Sequence, residues 1–267
     1  MTQIQDSESL CIRQLNDGAS YEFVDAVAVE SAARILLNEE EVATLACSPS
    51  NLVYLALGFL VSEGIVSDPK RIKRVSVSDS AMPIDVNVVT DLPLPFRLPA
   101  TKLQIPSGCG KGSFFANRGF EMPGRVRNNI IVSYARILQL MQAFQKASGL
   151  YRETGGVHGA ALSDGKELIV FMEDLSRHNA VDKVFGFCLS QKRPLASRVL
   201  LTTGRISSDL VLKAARMALP IVVSRSAPTA LAVKLACNLG LTLVGFARGR
   251  RMNIYTHAQR INGGKSG

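Results

Sequence analysis

Apolar and polar residues alternate in strand-like and helix-like patterns along the second half of the chain. Short apolar runs, typical of buried strands, lie at 168–172, 198–202, 220–224 and 241–246. Amphipathic stretches with helical spacing lie at 130–150, 177–189, 207–218 and 229–239. In the first of these helices the predicted apolar stripe is Tyr134, Leu138, Met141 and Phe144. Alternating strands and helices with short connections predict a three-layer α/β sheet, largely parallel after its first hairpin.

The first half of the chain has a different pattern, rich in strand-like and loop-like segments. Residues 21–24 and 84–89 are dominated by residue types that favour strands. Residues 48–63 instead place apolar side chains at helical spacing, and the pattern stops at Gly64. This half is therefore predicted to be mainly β-structure with one helix.

A glycine-rich stretch separates the two patterns. It follows a proline-rich segment and covers 105–113, which predicts a flexible loop. We expect a smaller β-rich N-terminal domain over residues 1–120 and an α/β domain over residues 121–267. The break between the two patterns is expected near 114–128.

The composition is that of a globular protein with an apolar core. The chain has 267 residues, of which 47% are hydrophobic, and this length suits one large domain or two modest ones. No apolar run reaches the roughly 18 residues of a membrane helix. The N-terminal residues lack the basic, apolar and cleavage segments of a secretion signal. We expect a cytoplasmic protein without membrane insertion.

The charge of the chain indicates an anionic partner without identifying it. A formal net charge of +9 and a pI near 9.5 predict attraction to nucleic acid, to an anionic membrane face or to a phosphate-rich ligand. A soluble protein with a merely basic surface fits equally well. Basic residues are spread along the chain, and neither a reader motif nor an alternation of basic and aromatic residues occurs. We therefore predict no nucleic acid as a partner.

Cys109 is the strongest candidate for covalent chemistry. The chain has five cysteines, an odd and scattered set unlike a disulfide framework, and most are interpreted as small buried hydrophobes. Cys109 instead lies between glycines and close to Lys111, in Ser-Gly-Cys-Gly-Lys-Gly-Ser. A nearby cation can lower a thiol pKa from about 8.5 toward ~7 and so increase the thiolate fraction. A surface cysteine without function is the open alternative.

Two histidines lie where an α/β sheet could bind a ligand. His158 follows small residues at the start of a predicted strand, and His178 lies where a predicted helix begins. The end of a parallel strand that runs into a helix is a common ligand position. The alternative for His158 is a structural histidine. For the segment around His178 it is a helix start capped by Ser176, with Asp182 and Lys183 solvated.

Three arginines lie within four residues just beyond the last predicted strand. They are Arg248, Arg250 and Arg251. Planar guanidinium groups bind phosphate oxygens through paired hydrogen bonds and stack on nucleotide bases. A solvated basic turn is the alternative, because most runs of charge are simply exposed.

Several segments, taken in order along the chain, match one family. The most specific is the Glu-Asp-x-x-Arg-His-x-x-x-Asp-Lys string at 173–183. The others are Ser48-Pro-Ser-Asn-Leu, Leu57-Gly-Phe59-Leu-Val-Ser-Glu63-Gly-Ile65, the Gly-Cys-Gly loop, Thr154-Gly-Gly-Val-His158, Ser224-Arg-Ser-Ala-Pro-Thr229 and Leu243-Val-Gly-Phe246 leading to Tyr255-Thr-His257. From about residue 45 to its end, the chain resembles the FdhD family of formate dehydrogenase accessory sulfurtransferases.

The resemblance implies a sulfurtransferase that matures a cofactor. Such a protein accepts sulfur from a cysteine desulfurase as a persulfide and transfers it to the molybdenum bis(pyranopterin guanine dinucleotide) cofactor, a bound substrate, before insertion into formate dehydrogenase. Cys109 takes the position of the persulfide cysteine. We also expect backbone amides near Gly204 and the helix start that follows to assist binding. The cofactor-binding segment corresponds to Phe246, Ala247, Arg248, Gly249, Arg250 and Arg251. A cytidine-deaminase-like C-terminal domain and a homodimer are also implied.

The chain departs from the family pattern in its cysteines. Many members have Cys-x-x-Cys in the loop, where this chain has Gly112, and some have a cysteine at the position of Gly156. A relay through the single thiol of Cys109 is the version compatible with this sequence, and a chaperone that binds the cofactor without sulfur transfer is the alternative. The His-x-Glu and Pro-Cys-x-x-Cys strings of zinc deaminases do not occur. We therefore predict no zinc and no deamination.

Overall fold

The computed structural model describes residues 5–78, 82–91, 103–105 and 122–263. Within these residues the protein is a mixed α/β structure of fifteen strands and six α-helices. Cys109 and its loop lie outside the described residues, as does the predicted domain break up to residue 121. The division into two domains stays a prediction.

A long hairpin begins the described chain. Strands β1 (Ser7–Asn16) and β2 (Ala19–Ala28) pair antiparallel along their full length as a separate two-stranded sheet. Asp17 and Gly18 connect them with positive φ angles of 49° and 82°. An Asp-Gly pair suits this turn because both residues tolerate the left-handed region. The strand predicted at 21–24 is therefore confirmed as part of β2.

A five-stranded sheet and one helix form the rest of the first half. The elements are β3 (Ser31–Leu37), β4 (Glu40–Cys47), α1 (Leu52–Ser62), β5 (Ile72–Val77), β6 (Ile84–Thr90) and β7 (Leu103–Ile105), in the sheet order β5-β6-β3-β4-β7. Alternate residues of β3, among them Ile35 and Leu37, are buried in one core cluster with Leu55 and Leu60 of α1. The predicted strand at 84–89 and the predicted helix within 48–63 are both confirmed.

The second half is built around a six-stranded sheet. Its elements are β8 (Val132–Ser133), α2 (Tyr134–Ala147), α3 (Gly149–Thr154), β9 (His158–Ser163), β10 (Leu168–Asp174), α4 (Arg177–Ser190), β11 (Val199–Thr202), α5 (Ser208–Arg216), β12 (Ile221–Ser224), α6 (Ala230–Leu239), β13 (Thr242–Arg248), β14 (Arg251–Ile254) and β15 (Ile261–Asn262). The sheet order is β10-β9-β11-β12-β13-β14. The pairings make β10, β11, β12 and β13 run in one direction and β9 and β14 in the other.

Helices cover both faces of this sheet. Leu200 and Val222 belong to a core cluster with residues of α4, α5 and α6. Their neighbours Leu201 and Val223 belong to the cluster that contains Phe144 of α2. Successive strand residues point to opposite faces, so each short strand supplies both cores. The predicted three-layer α/β arrangement is thus observed, whereas the likeness to cytidine deaminases stays a prediction.

The helix predicted over 130–150 is wrong in its extent. It is divided into α2 and α3 at Ser148, and the amides of Leu150 and Tyr151 donate to the carboxylate of Glu173, each at 3.0 Å. A carboxylate at a helix start satisfies amides that lack helical partners, which stabilises a new helix at this point. The apolar stripe also differs from prediction. The fully buried residues of α2 are Ile137, Leu140, Met141 and Phe144.

Helices α1 and α4 hold the two halves together. A Cβ atom at Gly58 would overlap the carbonyl group of Asp182, and one at Gly186 would overlap the carbonyl group of Tyr54. The two helix backbones are therefore in direct contact, which side chains at these positions would prevent. Among the described residues, no helix has both the length and the apolar character needed to cross a membrane.

Candidate functional site

One edge of the six-stranded sheet collects six arginines. Strands β10, β11, β12 and β13 end at this edge, and β9 and β14 begin there. We call it the arginine edge, after Arg177, Arg205, Arg225, Arg248, Arg250 and Arg251, which lie at these strand ends, in the loops that follow them or, for Arg177, at the start of the next helix. In open α/β sheets, ligands bind beyond the carboxyl ends of the strands, so the topology and the charge indicate the same position.

Acidic residues at the arginine edge are engaged in structural contacts. Glu173 accepts the two amides at the start of α3, and Asp174 pairs with Lys183 at 2.7 Å. Asp209 lies in the first turn of α5, and burial is the main cause that raises the pKa of its carboxyl group. The edge therefore presents a net positive surface.

The predicted cofactor-binding segment contains an irregular strand turn at the arginine edge. Phe246 has a φ of 51°, and the β13–β14 register shifts between Gly245 and Arg248. A phenylalanine rarely adopts positive φ, because its Cβ then crowds the backbone. The Phe246 amide donates to the Ser226 carbonyl at 3.1 Å, which holds this conformation. Such bulges redirect side chains next to binding sites.

The turn that carries the arginines of this segment is held at its backbone by a contact from α2. The guanidinium carbon of Arg248 lies 5.7 Å from the centroid of the Phe246 ring. Gly249, with a φ of 61°, starts the turn to β14, and the Tyr134 hydroxyl at the start of α2 donates to the Arg250 carbonyl. Arg248, Arg250 and Arg251 are nevertheless exposed. The turn is thus fixed by its backbone while its cationic groups face solvent.

His158 is neutral and bound to a threonine. Its Nδ1 atom lies 3.1 Å from the hydroxyl of Thr203, which itself accepts the Gly159 amide at 3.1 Å. The Thr203 hydroxyl therefore joins the His158 ring to the Gly159 backbone. Burial, followed by the charge of Arg177, lowers the pKa of His158. The ring is held in place by its hydrogen bond to Thr203.

His178 has a parallel arrangement at the start of α4. Its Nε2 atom lies 3.2 Å from the Ser207 hydroxyl, which accepts the Leu210 amide as the cap of α5. Burial, and then the charges of Arg177 and Lys213, lower the pKa of His178 to about 3. Because both histidines are neutral near pH 7, the positive charge of the edge comes from guanidinium groups.

The loop after β11 is shaped by a close contact. A Cβ at Gly204 would lie 2.6 Å from Cδ of Arg177, so the arginine side chain lies across this glycine. The Gly204 amide donates to the Thr202 hydroxyl at 3.2 Å. This amide is therefore already bonded within the protein. Of the predicted backbone contributors to ligand binding, we retain the start of α5.

A first buried ion pair explains part of the 173–183 motif. Asp174 and Lys183 are both completely buried. Asp174 also accepts the amides of Ser48 and Ser176, and Lys183 donates to the Ser48 carbonyl at 3.2 Å. Burial raises the pKa of Asp174, against the effect of Lys183. The pair therefore joins the segment before α1 to the start of α4.

A second buried network explains the end of the motif. Lys213 Nζ lies 2.6 Å from Asp182 Oδ2 and 2.9 Å from Glu63 Oε1, and the Ser62 hydroxyl donates to Asp182 at 2.7 Å. Burial raises the pKa of Asp182 to about 6, and Lys213 opposes this rise. The alternative that left Asp182 and Lys183 solvated is wrong.

Two further sequence interpretations are corrected or completed by these contacts. Ser176 occupies the position before α4, but its side chain makes no capping hydrogen bond there. Sequence reasoning also missed Lys213 as a partner of the motif. The available signal was a lysine between Leu212 and Ala214 on the apolar side of an amphipathic helix, where a charge needs a buried partner.

The described cysteines differ sharply in accessibility. Cys47 and Cys188 are buried, and burial is the main cause that raises their thiol pKa values to about 12 and about 11. Such thiols stay protonated and are poor nucleophiles. Cys11 and Cys237 are exposed, so the interpretation of most cysteines as buried hydrophobes is wrong for these two.

Comparison with known proteins identifies the family. The sequence model of the FdhD/NarQ family matches residues 28–262. The chain belongs to the FdhD/NarQ family. The sulfur carrier protein FdhD of Staphylococcus aureus strain MRSA252 is 40% identical over 251 residues, and that of strain JH9 is 39% identical, with 94% of both chains covered in each case.

A solved structure has the same fold. The chain is similar to a crystal structure described as that of a candidate formate dehydrogenase accessory protein from Desulfotalea psychrophila, with a TM-score of 0.78 and 28% identity. The match covers 97% of this chain and 100% of the other. The resemblance inferred from the motifs is therefore confirmed.

Proposed function

We propose that the chain is a sulfur carrier, a sulfurtransferase that acts in the maturation of formate dehydrogenase. It accepts sulfur from a cysteine desulfurase as a persulfide on Cys109 and transfers it to the molybdenum of the bis(pyranopterin guanine dinucleotide) cofactor. Membership of the FdhD/NarQ family and the name of the S. aureus relatives support this proposal. The structural observation that carries it is the bulged turn at 246–251 on a sheet edge whose charge is fixed by arginines.

The proposed relay has two steps at one thiol. The Cys109 thiolate attacks the terminal sulfur of the desulfurase persulfide, the S–S bond breaks, and the desulfurase cysteine leaves as a thiolate. In the second step the terminal sulfur passes to reduced molybdenum, which supplies two electrons and gains a sulfido ligand, while the bonding pair returns to Cys109. Lys111 is the neighbour that favours the thiolate. The buried thiols of Cys47 and Cys188 are unsuited to either step because their pKa values are about 12 and about 11.

The proposed cofactor contacts lie on the arginine edge. Arg248, Arg250 and Arg251 hold the phosphates, and their planar groups can also stack on guanine. Each charge-assisted hydrogen bond contributes about 1.5–3 kcal/mol where water is excluded. The α5 N-terminus contributes its partial positive charge. Neutral His158 and His178 shape the edge and are assigned no proton-transfer step.

We also propose the context in which the protein acts. The partners are a cysteine desulfurase, formate dehydrogenase and a second copy of the chain, in the cytoplasm, and the second half has a cytidine-deaminase-like fold without zinc. The support is the motif resemblance together with the similarity to a candidate formate dehydrogenase accessory protein.

Replacing Cys109 with alanine is expected to abolish sulfur transfer, because the 105–113 loop contains no second cysteine. In cells that lack their own accessory protein, formate dehydrogenase activity should fall at least about tenfold, as expected when a covalent nucleophile is lost. Cys237→Ala, at an exposed cysteine, is the control and should keep full activity. Full activity of Cys109→Ala would end the sulfur-carrier proposal.

Mass spectrometry distinguishes a carrier from a chaperone. After incubation with a desulfurase and cysteine, Cys109 should gain one sulfur atom. A protein that is needed for maturation but gains no sulfur would be the cofactor chaperone.

Reversing Arg250 and Arg251 to glutamate is expected to weaken binding of GDP, which carries the guanine and diphosphate of the cofactor. Loss of two charge-assisted contacts predicts at least about a hundredfold rise in Kd, measured by calorimetry at fixed salt. Lys70→Glu with Arg74→Glu is the control, since both residues are exposed near or on β5 and the charge change is the same. Equal Kd values for the two double variants would remove the 246–251 segment from the site.

A further inference from the structure

The β1–β2 hairpin carries an uncovered apolar face. Cross-strand pairing places Leu10, Ile12, Tyr21, Phe23 and Val27 on one side of the ribbon. Leu10 is 41% exposed and Tyr21 is 56% exposed, although both are large apolar side chains. An isolated two-stranded ribbon is marginally stable in water. This face, which we call the arm face, is therefore suited to pack against another surface.

The hairpin contacts the rest of the described chain near its base. Ser7 bonds to Glu153 of α3 at 2.9 Å, and Ala28 lies against Gly156. The base therefore lies beside the start of β9, at the arginine edge.

Charge separates the hairpin from the rest of the chain. The hairpin, residues 7–28, contains one basic and four acidic residues, a net charge of −3. The other residues contain 30 basic and 18 acidic residues, which leaves +12 and restores the total of +9. The single arginine, Arg13, pairs with Glu22 on the same hairpin at 2.9 Å. An acidic arm is therefore attached to a strongly basic body.

A groove of matching chemistry lies at the opposite edge of the six-stranded sheet. It has a volume of about 760 Å³, and its lining includes Arg125, Arg127, Ile130 and Ile131. The Val126 amide donates to the Leu239 carbonyl, which places the groove where β13 begins. Ile131 is 61% exposed, and within the described part of the chain neither Arg125 nor Arg127 forms an ion pair.

We propose that the hairpin of one copy docks in this groove of a second copy, and that the second copy's hairpin docks reciprocally. The arm face would cover Ile130 and Ile131, and its acidic residues would lie near Arg125 and Arg127. Reciprocal docking closes a two-fold dimer and so avoids an open filament. Each chain carries both the arm face and the groove, and its own arm does not occupy its own groove. This inference rests on the homodimer of the proposed function and is independent of sulfur transfer.

Sedimentation equilibrium of the full chain tests the arm. The wild type should have twice the 28.8 kDa chain mass. Phe23→Ser should raise the dimer Kd about 30-fold, as expected for an aromatic anchor of an interface. The control is Val77→Ser, at an exposed apolar residue on β5, and it should leave Kd unchanged.

A charge exchange tests the groove without altering the apolar face. Glu8→Lys on the hairpin and Arg127→Glu in the groove should each weaken the dimer several-fold, and the double variant should restore it. Glu40→Lys, at an exposed acidic residue outside the hairpin, is the matched control.

The outcomes distinguish the proposal that the arm docks in the groove from the proposal that the chain forms a homodimer. A monomeric wild type would overturn both the arm and the homodimer. A dimer whose Kd is unchanged by Phe23→Ser, Glu8→Lys and Arg127→Glu would overturn the arm alone. If Phe23→Ser does not fold, the charge exchange at exposed residues decides the matter.

Discussion

Replacing Lys213 with methionine should lower the free energy of unfolding by about 3–5 kcal/mol at pH 8, because it leaves buried carboxylates without their cation. Lys213 pairs with Asp182 and Glu63, and its side chain is only 3% exposed. Methionine preserves most of the apolar volume, so the effect reports charge more than packing. Urea denaturation at fixed pH measures it.

The loss should depend on pH in a definite direction. Burial already raises the pKa of Asp182 to about 6, and removing Lys213 removes the main opposing charge, so this pKa rises further. Between an unfolded pKa of about 3.9 and the higher folded value, the folded state binds more protons, so its stability increases as pH falls. The difference between variant and wild type should therefore be smaller at pH 5.5 than at pH 8.

The control for this experiment is Lys234→Met on α6, where the lysine is exposed and a change within about 0.5 kcal/mol is expected. A Lys213→Met variant within 1.4 kcal/mol of the wild type at pH 8, about a factor of ten in the unfolding equilibrium, would show that the buried network does not hold the halves together. An equal loss at both pH values would assign the effect to packing.

Gly186→Ala is expected to destabilise the protein by about 3 kcal/mol, although alanine favours helix by about 1 kcal/mol. A Cβ at this position would overlap the carbonyl group of Tyr54, so α1 and α4 must move apart. Both atoms in the clash belong to backbone or to a rigid Cβ, and neither can rotate away. The clash therefore decides the sign of the effect.

Thermal or urea denaturation of Gly186→Ala should be compared with Gly149→Ala. Gly149 is the first residue of α3, and a Cβ there has open space. Its substitution should be neutral or stabilise by up to about 1 kcal/mol. If Gly186→Ala were as stable as Gly149→Ala, the close contact of α1 and α4 would be refuted.

The candidate site was predictable in part. The residue types at 246–251 indicated a place for phosphates, and strand–helix alternation placed that segment at the end of a sheet strand. The bulge at Phe246 was not predictable, because it depends on the Ser226 carbonyl twenty residues earlier accepting the Phe246 amide. The sequence around residue 246 does not indicate that the Ser226 carbonyl is the partner.

The 173–183 motif was likewise predictable only in part. Its spacing was visible and specific, but its charged residues were interpreted as a ligand site or a solvated helix start. In the structure Asp174 and Lys183 pair with each other, and Asp182 pairs with Lys213. The partners of Asp182 are Lys213, 31 residues later on α5, and Ser62, 120 residues earlier at the end of α1. Contacts between residues this far apart in the chain leave no periodic pattern of apolar and polar residues in the sequence.

By itself, then, the order of residues determined the α/β class, strands β10 to β13 and helices α4 to α6 of the second half, and the family. These follow from local periodicity and motif spacing, which report how each segment meets a core. Only the tertiary structure decided that α3 starts at Gly149 through the carboxylate of Glu173, that Lys213 is buried, and that the arginines share one edge. Periodicity tells which side of an element is covered but not by what, because the covering element comes from a distant part of the chain.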